Sequence, residues 1–335
     1  MPDMTQPYSN DLAALPAPAN LGTRLLRFTQ FREFILLMII VLVSAVMTVE
    51  SDVFFTKGNW LAMFLGMSVE SIVGIGMTIL MVSGGFDLSV GSTMALAGAV
   101  TAFCLSQGVP VPAAIGAGLG VGIAIGMVNG LIIAKIGINP FITTLAMMSI
   151  VRGILLPATE GKNIAGLPED FKIIGQGTFL HVQYPIIIAA VLILAGDLLL
   201  RKSRFFRQNY YIGGNEKAAV LSGISVNFIK VFNYALIGLL AGLAGIVMTA
   251  RLGSASVTAG TGLELKVITA VIIGGASLQG GEGTVLGSFL GALLMTIVVG
   301  SLTFLGVDPY WNTLVMGATL LVAVLIDTLG RRSRN

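Results

Sequence analysis

The sequence predicts an all-α, polytopic membrane protein of about ten helices, and three observations carry that expectation. Hydrophobic residues make up 55% of the 335-residue chain and charged residues 10%, against about 25% charged in a soluble domain. The apolar residues fall into ten runs, most of them near the ~20 residues that cross a bilayer. The basic residues gather in the gaps between runs, so the net charge of +3 is no mark of nucleic-acid binding.

Taken in order, residues 1–30 are polar and Pro/Ala-rich without a signal-peptide pattern. They are expected to be a disordered tail ahead of a single transmembrane domain over 31–330, with 331–335 as a basic tail. The first run covers 34–49 and the second 60–82, with Glu70 near its middle. GGFDLSVGS at 84–92 breaks the pattern before a third run to about 106. Gly108, Pro110 and Pro112 mark a turn, and a fourth run at 113–134 is studded with glycine. After Lys135 and the turn at Asn139 and Pro140 come a fifth run at 141–157, a polar loop at 159–183 and a sixth run at 185–200. Beyond a basic stretch at 201–230 lie a seventh run, 231–250, and RLGSASVTAGTG, which reads as a polar loop. An eighth run at 265–273 is broken by GGASLQGGEGT, and the ninth and tenth cover 285–305 and 310–326.

Lysine and arginine counts orient these runs. With both termini inside, Arg24, Arg27, Arg32, Lys135, the six bases of 201–230 and Arg331, Arg332 and Arg334 put 13 bases on the cytoplasmic side. Lys57, Lys162, Lys172, Arg251 and Lys266 put 5 on the other. The stretch 201–230 is therefore expected inside the cell. It carries six bases against the single acid Glu216. Within it Asn215 can cap a short helix from Glu216 to Ser222 that Gly223 stops. A rod of roughly 10 Å is too short to fold alone, so its flanks or a partner must hold it.

Four features carry candidate chemistry. Small residues recur every fourth position at Gly118, Gly122, Gly126 and Gly130 and at Gly238 and Gly242, which suits close helix packing. Asp87 is placed to cap the helix after the break, or to line a path through a discontinuous helix. Glu70 lies about 16 Å into its run by helical rise from Asn59. A carboxylate at that depth must be neutral, paired or facing water, and Arg152 in the fifth run is long enough to reach toward it. GG-plus-polar-loop segments at 84–92 and 274–284 echo one another, as duplicated units or as two similar turns.

Catalytic chemistry is not expected. The chain has one cysteine, Cys104, so no intrachain disulfide, and one histidine, His181, without the companions a metal site needs. No Walker A motif is present, so no cofactor is expected in this chain and any ATPase is another one. The scarcity of intramembrane acids weighs against a proton- or ion-coupled carrier, and a stand-alone channel is the alternative from a different class.

GGFDLSVGSTMALAG, NPFITTLAMM with the following RG, GGNEKAAVLSGISV, ARLGSAS with AGTGLEL, and VIIGGASLQGGEGTVLGS occur in this order between about residues 30 and 328. Together they resemble the permease subunits of bacterial ABC sugar importers, in particular the ribose permease branch, with its relatives for xylose, arabinose, galactose, polyols and autoinducer-2. The resemblance implies a permease of the bacterial inner membrane, working with a second copy or a homologous permease. It further implies a cytoplasmic ABC ATPase and a periplasmic sugar-binding protein. Gly214, Asn215, Glu216, Ala218, Ala219, Gly223 and Ile224 would then form the coupling loop that docks on the ATPase, with the small alanines allowing close approach. Glu70, Phe86, Asp87, Asn139 and Arg152 are the candidates for the substrate path. Arg251, Glu160, Glu169 and Asp170 are those for docking the binding protein. Permeation of branched-chain amino acids or autoinducer-2 is the alternative within this class.

Overall fold

The computed structural model describes residues 32–308 and 310–332. The tail over 1–30 and residues 333–335, with Arg24, Arg27 and Arg334, lie outside the described residues. The helices are α1 (Arg32–Glu50), α2 (Lys57–Val82), α3 (Val90–Ser106), α4 (Val111–Leu131), α5 (Pro140–Ala158), α6 (Glu169–Gln176) and α7 (Tyr184–Lys202). They continue as α8 (Arg204–Gly214), α9 (Glu216–Leu221), α10 (Val226–Leu252), α11 (Leu263–Ile273), α12 (Val285–Phe304) and α13 (Trp311–Arg332). A π-turn at Ile132–Ile136 extends α4 to the left-handed Gly137, and the hairpin β1 (Thr178–Phe179) and β2 (Val182–Gln183) follows α6.

Among the described residues, seven helices are long and apolar enough to cross a membrane: α1, α2, α4 with its π-turn, α5, α7, α10 and α12. With α3, α11 and α13 they fill the ten places the sequence predicts, so the all-α, polytopic expectation holds. The loop at 159–183 is more structured than its composition implies, since it holds α6 and the hairpin. The stretch 201–230 holds two helices rather than one. Its second, α9, ends at Leu221 rather than Ser222. Its first, α8, brings Phe205, Asn209 and Ile212 to one face by their spacing of four and three residues, and Asn209 and Ile212 are fully buried there.

The centre of the fold is the antiparallel pair α2 and α10. Arg251 donates to the Leu65 carbonyl at 3.1 Å, Gly76 faces Ile237, and Asn233 donates to the Ser83 hydroxyl at 3.2 Å. Both helices are buried almost all round over much of their length, as central helices of a bundle must be. Around them, α10 packs on α3 and α4, while α2 packs on α7, α11 and α12, and α12 in turn on α1. The glycine spacing serves the α4–α10 contact. A Cβ on Gly122 would overlap the Gly238 carbonyl, one on Gly238 would overlap the Gly122 carbonyl, and one on Gly126 would overlap that of Tyr234.

Each central helix ends in a glycine with positive φ, Gly84 two residues past α2 and Gly253 directly after α10. The chain then turns back into the bundle and starts a shorter helix there. After α2, segment 83–89 rises to α3, which runs parallel to α10 and sets Met94 and Gly98 against Gly245. After α10, segment 253–262 descends to α11 and brings Gly260 against Gly91. By helical rise Gly91 stands about 15 Å from the C-terminal end of α10 and about 24 Å from its start. RLGSASVTAGTG is thus not an external loop but a re-entrant segment, and α11 spans only part of the depth. The two turns back, from α2 to α3 and from α10 to α11, run in opposite senses. The GG segments 84–92 and 274–284 are instead neighbours, with the Gly281 amide donating to the Val82 carbonyl at 2.8 Å.

One polar cluster ties α1, α7 and α12 together at the end where both GG segments lie. Arg201 bridges Asp197 at 2.7 Å and Glu33 at 2.8 Å. Thr284 also donates to Glu33, and Asp197 accepts from the Leu286 amide at 3.1 Å, capping α12.

Gly238→Val is expected to lower stability by about 1–3 kcal/mol through overpacking at the α4–α10 contact. Gly120→Ala, where a Cβ meets nothing within 4 Å, is expected to be neutral or to gain up to about 1 kcal/mol from helix propensity. Thermal unfolding of the detergent-purified protein measures both.

Candidate functional site

Three groups of side chains stand out, one at mid-depth on α2, one where the re-entrant segments meet, and one at the basic end. The first is Glu70. Its carboxylate lies 3.3 Å from the Lys266 ammonium on α11, so the partner is not Arg152. The re-entrant path of 253–262 explains the difference, because it draws Lys266 from the expected outer loop into the bundle beside α2. The pair borders a cavity of about 450 Å³ between α2, α11, α12 and α13.

At the second group, Asp87 is fully buried but is not the N-cap of α3, which is Ser89. One Asp87 oxygen accepts from the Ser89 amide at 2.7 Å and its hydroxyl at 2.6 Å, and the other from Asn129 Nδ2 on α4 at 3.2 Å. Asn129 also donates to Ser89 Oγ at 3.0 Å. The Phe86 carbonyl takes the Tyr234 hydroxyl at 3.2 Å, and the Phe86 ring meets Phe141 edge-on with centroids 6.4 Å apart. Backbone that leaves the helix inside a bilayer needs partners from the protein, and these side chains supply them. Asn139 caps α5 by accepting from the Phe141 amide at 2.8 Å; it is exposed and apart from the Asp87 cluster.

Arg152 holds the other re-entrant segment. Its guanidinium donates to the Val257 carbonyl at 2.7 Å and twice to the Ala259 carbonyl at 3.2 Å. It also lies close enough to Glu264 for their charges to interact. Glu264 in turn approaches Gly91, the contact point of the two segments.

The third group is α8 and α9. Asn215 caps α9 by accepting from the Ala218 amide at 3.0 Å, and Gly223 follows with φ of 80°. Glu216 pairs with Lys230 at 2.8 Å, fastening α9 to α10. Ala219 points inward against Ile212, Val226 and Ile229, so its small size serves the chain's own packing rather than an outer contact. Ala218 is exposed, as are Val220 and, at 89%, Leu221. Ile224 is half-buried and Gly214 exposed. Beneath them α8 touches the GG segment 274–284 and the C-terminal end of α2. Tyr210, whose phenol burial raises above its ordinary value, donates to the Gly283 carbonyl at 2.7 Å. A Cβ on Gly213 would overlap the Val82 carbonyl. Asn233 links Asn209 at 2.7 Å to Ser83.

At the opposite end, Arg251 is not a free surface charge. It is half-buried, bound to the Leu65 carbonyl, and its own carbonyl accepts from Gln176 on α6 at 3.0 Å. Glu160, Glu169 and Asp170 are exposed; the first two pair locally with Lys162 at 2.8 Å and Lys172 at 2.7 Å. His181 is exposed, and among the described residues no group of three His, Cys, Asp or Glu could hold a metal ion.

Residues 59–324 match the family described as the permease component of the branched-chain amino acid transport system. The chain belongs to this permease family. Among its relatives, the ribose import permease protein RbsC of Escherichia coli K12 is 43% identical over 296 residues, covering 87% of the permease and 92% of that protein. RbsC of Bacillus subtilis 168 is 43% identical over 271 residues, covering 80% and 84%. The L-arabinose ABC transporter permease protein AraH of Azospirillum brasilense is 34% identical over 333 residues, covering 99% and 97%.

Sequence reasoning missed Lys266, Asn129, Asn209, Asn233 and Tyr234 in the permease. A signal existed for some of them, since Asn129 and Asn233 are polar residues inside otherwise apolar runs. Arg152→Lys is expected to strip at least one of the two carbonyls of its donor, at about 1–3 kcal/mol for each buried acceptor left unpaired. Amide exchange over 255–261 should rise while that of α4 stays unchanged.

Proposed function

We propose that this chain is the membrane-spanning subunit of an ABC importer that moves a monosaccharide, ribose or a related pentose, into the cytoplasm. The 43% identity to ribose import permeases over 87% of the chain carries this reading. In it, the basic end of the bundle faces the cytoplasm with both termini, following the lysine and arginine distribution. A separate ATPase supplies the free energy, in keeping with a sequence that lacks a Walker A motif. Its contact is α9, whose exposed Ala218, Val220 and Leu221 form a small apolar face on a basic surface. Gly214, Asn215, Glu216 and Gly223 shape that loop. Motion at α9 reaches the GG segment 274–284 and the end of α2 through α8, by way of Asn209, Tyr210 and Gly213.

On the periplasmic side the binding protein docks near α6, where Glu160, Glu169 and Asp170 are available and Arg251 sets the position of the α6 end. Two permease copies enclose the path, with Glu70 on its wall and the Asp87 and Arg152 clusters holding the broken helices behind it. The family's description speaks for branched-chain amino acids as the alternative cargo, whereas the relatives compared above are named for ribose and L-arabinose.

The test is reconstitution of the permease with its ATPase and binding protein in proteoliposomes. ATP-dependent accumulation of labelled ribose or another pentose is expected; accumulation of leucine instead, or pentose flux without ATP, contradicts the reading. Ala218→Trp should leave membrane assembly intact and lower transport per ATP hydrolysed at least tenfold. Normal coupling in that variant removes α9 from the ATPase contact.

A further inference from the structure

The mid-depth ion pair has a consequence for what the path recognises. Glu70 is the fourteenth of the 26 residues of α2, about 20 Å from one end and about 18 Å from the other by helical rise. Its partner Lys266 is the fourth residue of α11, a helix that begins inside the bundle. Their side chains are 27% and 45% exposed. A half-exposed ion pair at that depth cannot face hydrocarbon without a large cost. On the reading above, in which two copies enclose the path, that face borders water. The neighbouring space, about 450 Å³, falls in the range of about 300–1,000 Å³ typical of small-molecule sites. Its lining includes Met63, Met67, Met295 and Met316, together with Thr296 and Gly300.

We propose that Glu70 and Lys266 form a hydroxyl-binding subsite for a neutral sugar on the wall of the translocation path. This rests on the sugar-permease reading above. The chemistry fits a polyol. The carboxylate accepts and the ammonium donates, so one sugar hydroxyl can bond to both, and a vicinal pair can span them. The pair has no net charge, so it does not hold an ion tightly. The flexible methionines of the lining suit the C–H face of a sugar ring and yield to rings of different shape. A single such subsite binds weakly, as a path that must also release its cargo requires. The subsite also gives the permease a share in selectivity beyond that of its binding protein.

The experiment uses the reconstituted complex with its binding protein and ATPase, first screened as wild type for ATP-driven uptake of ribose, other neutral monosaccharides and leucine. Glu70→Gln and Lys266→Met are each expected to reduce sugar uptake at least tenfold, with the complex still assembled and its melting temperature unchanged. The exchange Glu70→Lys with Lys266→Glu keeps an ion pair and is expected to stay impaired, with an altered order of preference among the sugars. Restoration of wild-type uptake and preference by the exchange shows a helix clamp only and overturns the proposal, as does uptake unchanged in both single variants. Wild-type uptake of leucine without any sugar would instead defeat the sugar-permease reading itself. Should the charge variants fail to fold, Thr296→Cys in a Cys104→Ser background gives a second reading. Labelling by a charged thiol reagent, slowed by the transported sugar, is expected; absence of labelling shows a lipid-facing groove and overturns the subsite.

Discussion

A polypeptide that leaves helical geometry inside a bilayer must find hydrogen-bond partners in its own fold, because lipid offers none. Segments 83–89 and 253–262 are that problem posed twice, and two clusters of buried or half-buried side chains answer it. Asp87, Ser89, Asn129 and Tyr234 serve the first segment, and Arg152 serves the second. The close approach of α4 to α10 through Gly122, Gly126 and Gly238 brings Asn129 near enough to take part. Where the segments meet, Gly91 and Gly260 touch backbone to backbone, so that neither can shift far without the other.

The same geometry joins the two ends of the molecule. Helix α8 is bonded to the GG segment 274–284 through Tyr210, packs through Gly213 on the end of α2 and on Gly280 and Gly281, and is linked to Ser83 through Asn233. Helix α9 is fastened to the start of α10 by Glu216 and Lys230. In the proposed coupling, a displacement of α9 would bear on the start of α10 and on α8, and through α8 on the end of α2 and the turn before α12. Rigid elements with few internal joints are what a two-state transport cycle needs.

The spans were legible because hydrophobic run length is a strong signal in a membrane protein, and ten runs became ten helices with ends shifted by a few residues. The capped helix at α9 was equally legible, since Asn215 and Gly223 are chemically specific stop signs. What the sequence concealed was depth. RLGSASVTAGTG is polar enough to read as an external loop, yet it re-enters the bundle because Arg152, a hundred residues away in the chain, supplies its donors. That misplacement hid the Glu70–Lys266 pair as well. Helix α8 was hidden by its arginines, which drew the eye to charge while Phe205, Asn209 and Ile212 carried the period. The resemblance made Ala219 a contact residue, and only the fold shows that it faces Ile212 and Ile229.

The start of α3 meets the re-entrant segment 253–262 at Gly91 and Gly260, and one substitution reports on that contact by sign. Gly91 lies in the first turn of α3, where alanine would ordinarily be favoured over glycine by about 1 kcal/mol. A Cβ there would overlap the Gly260 carbonyl and press on Glu264. Thermal unfolding of Gly91→Ala in detergent should therefore show a protein less stable than the wild type. A variant as stable as the wild type, or more so, would mean that the segments do not meet there.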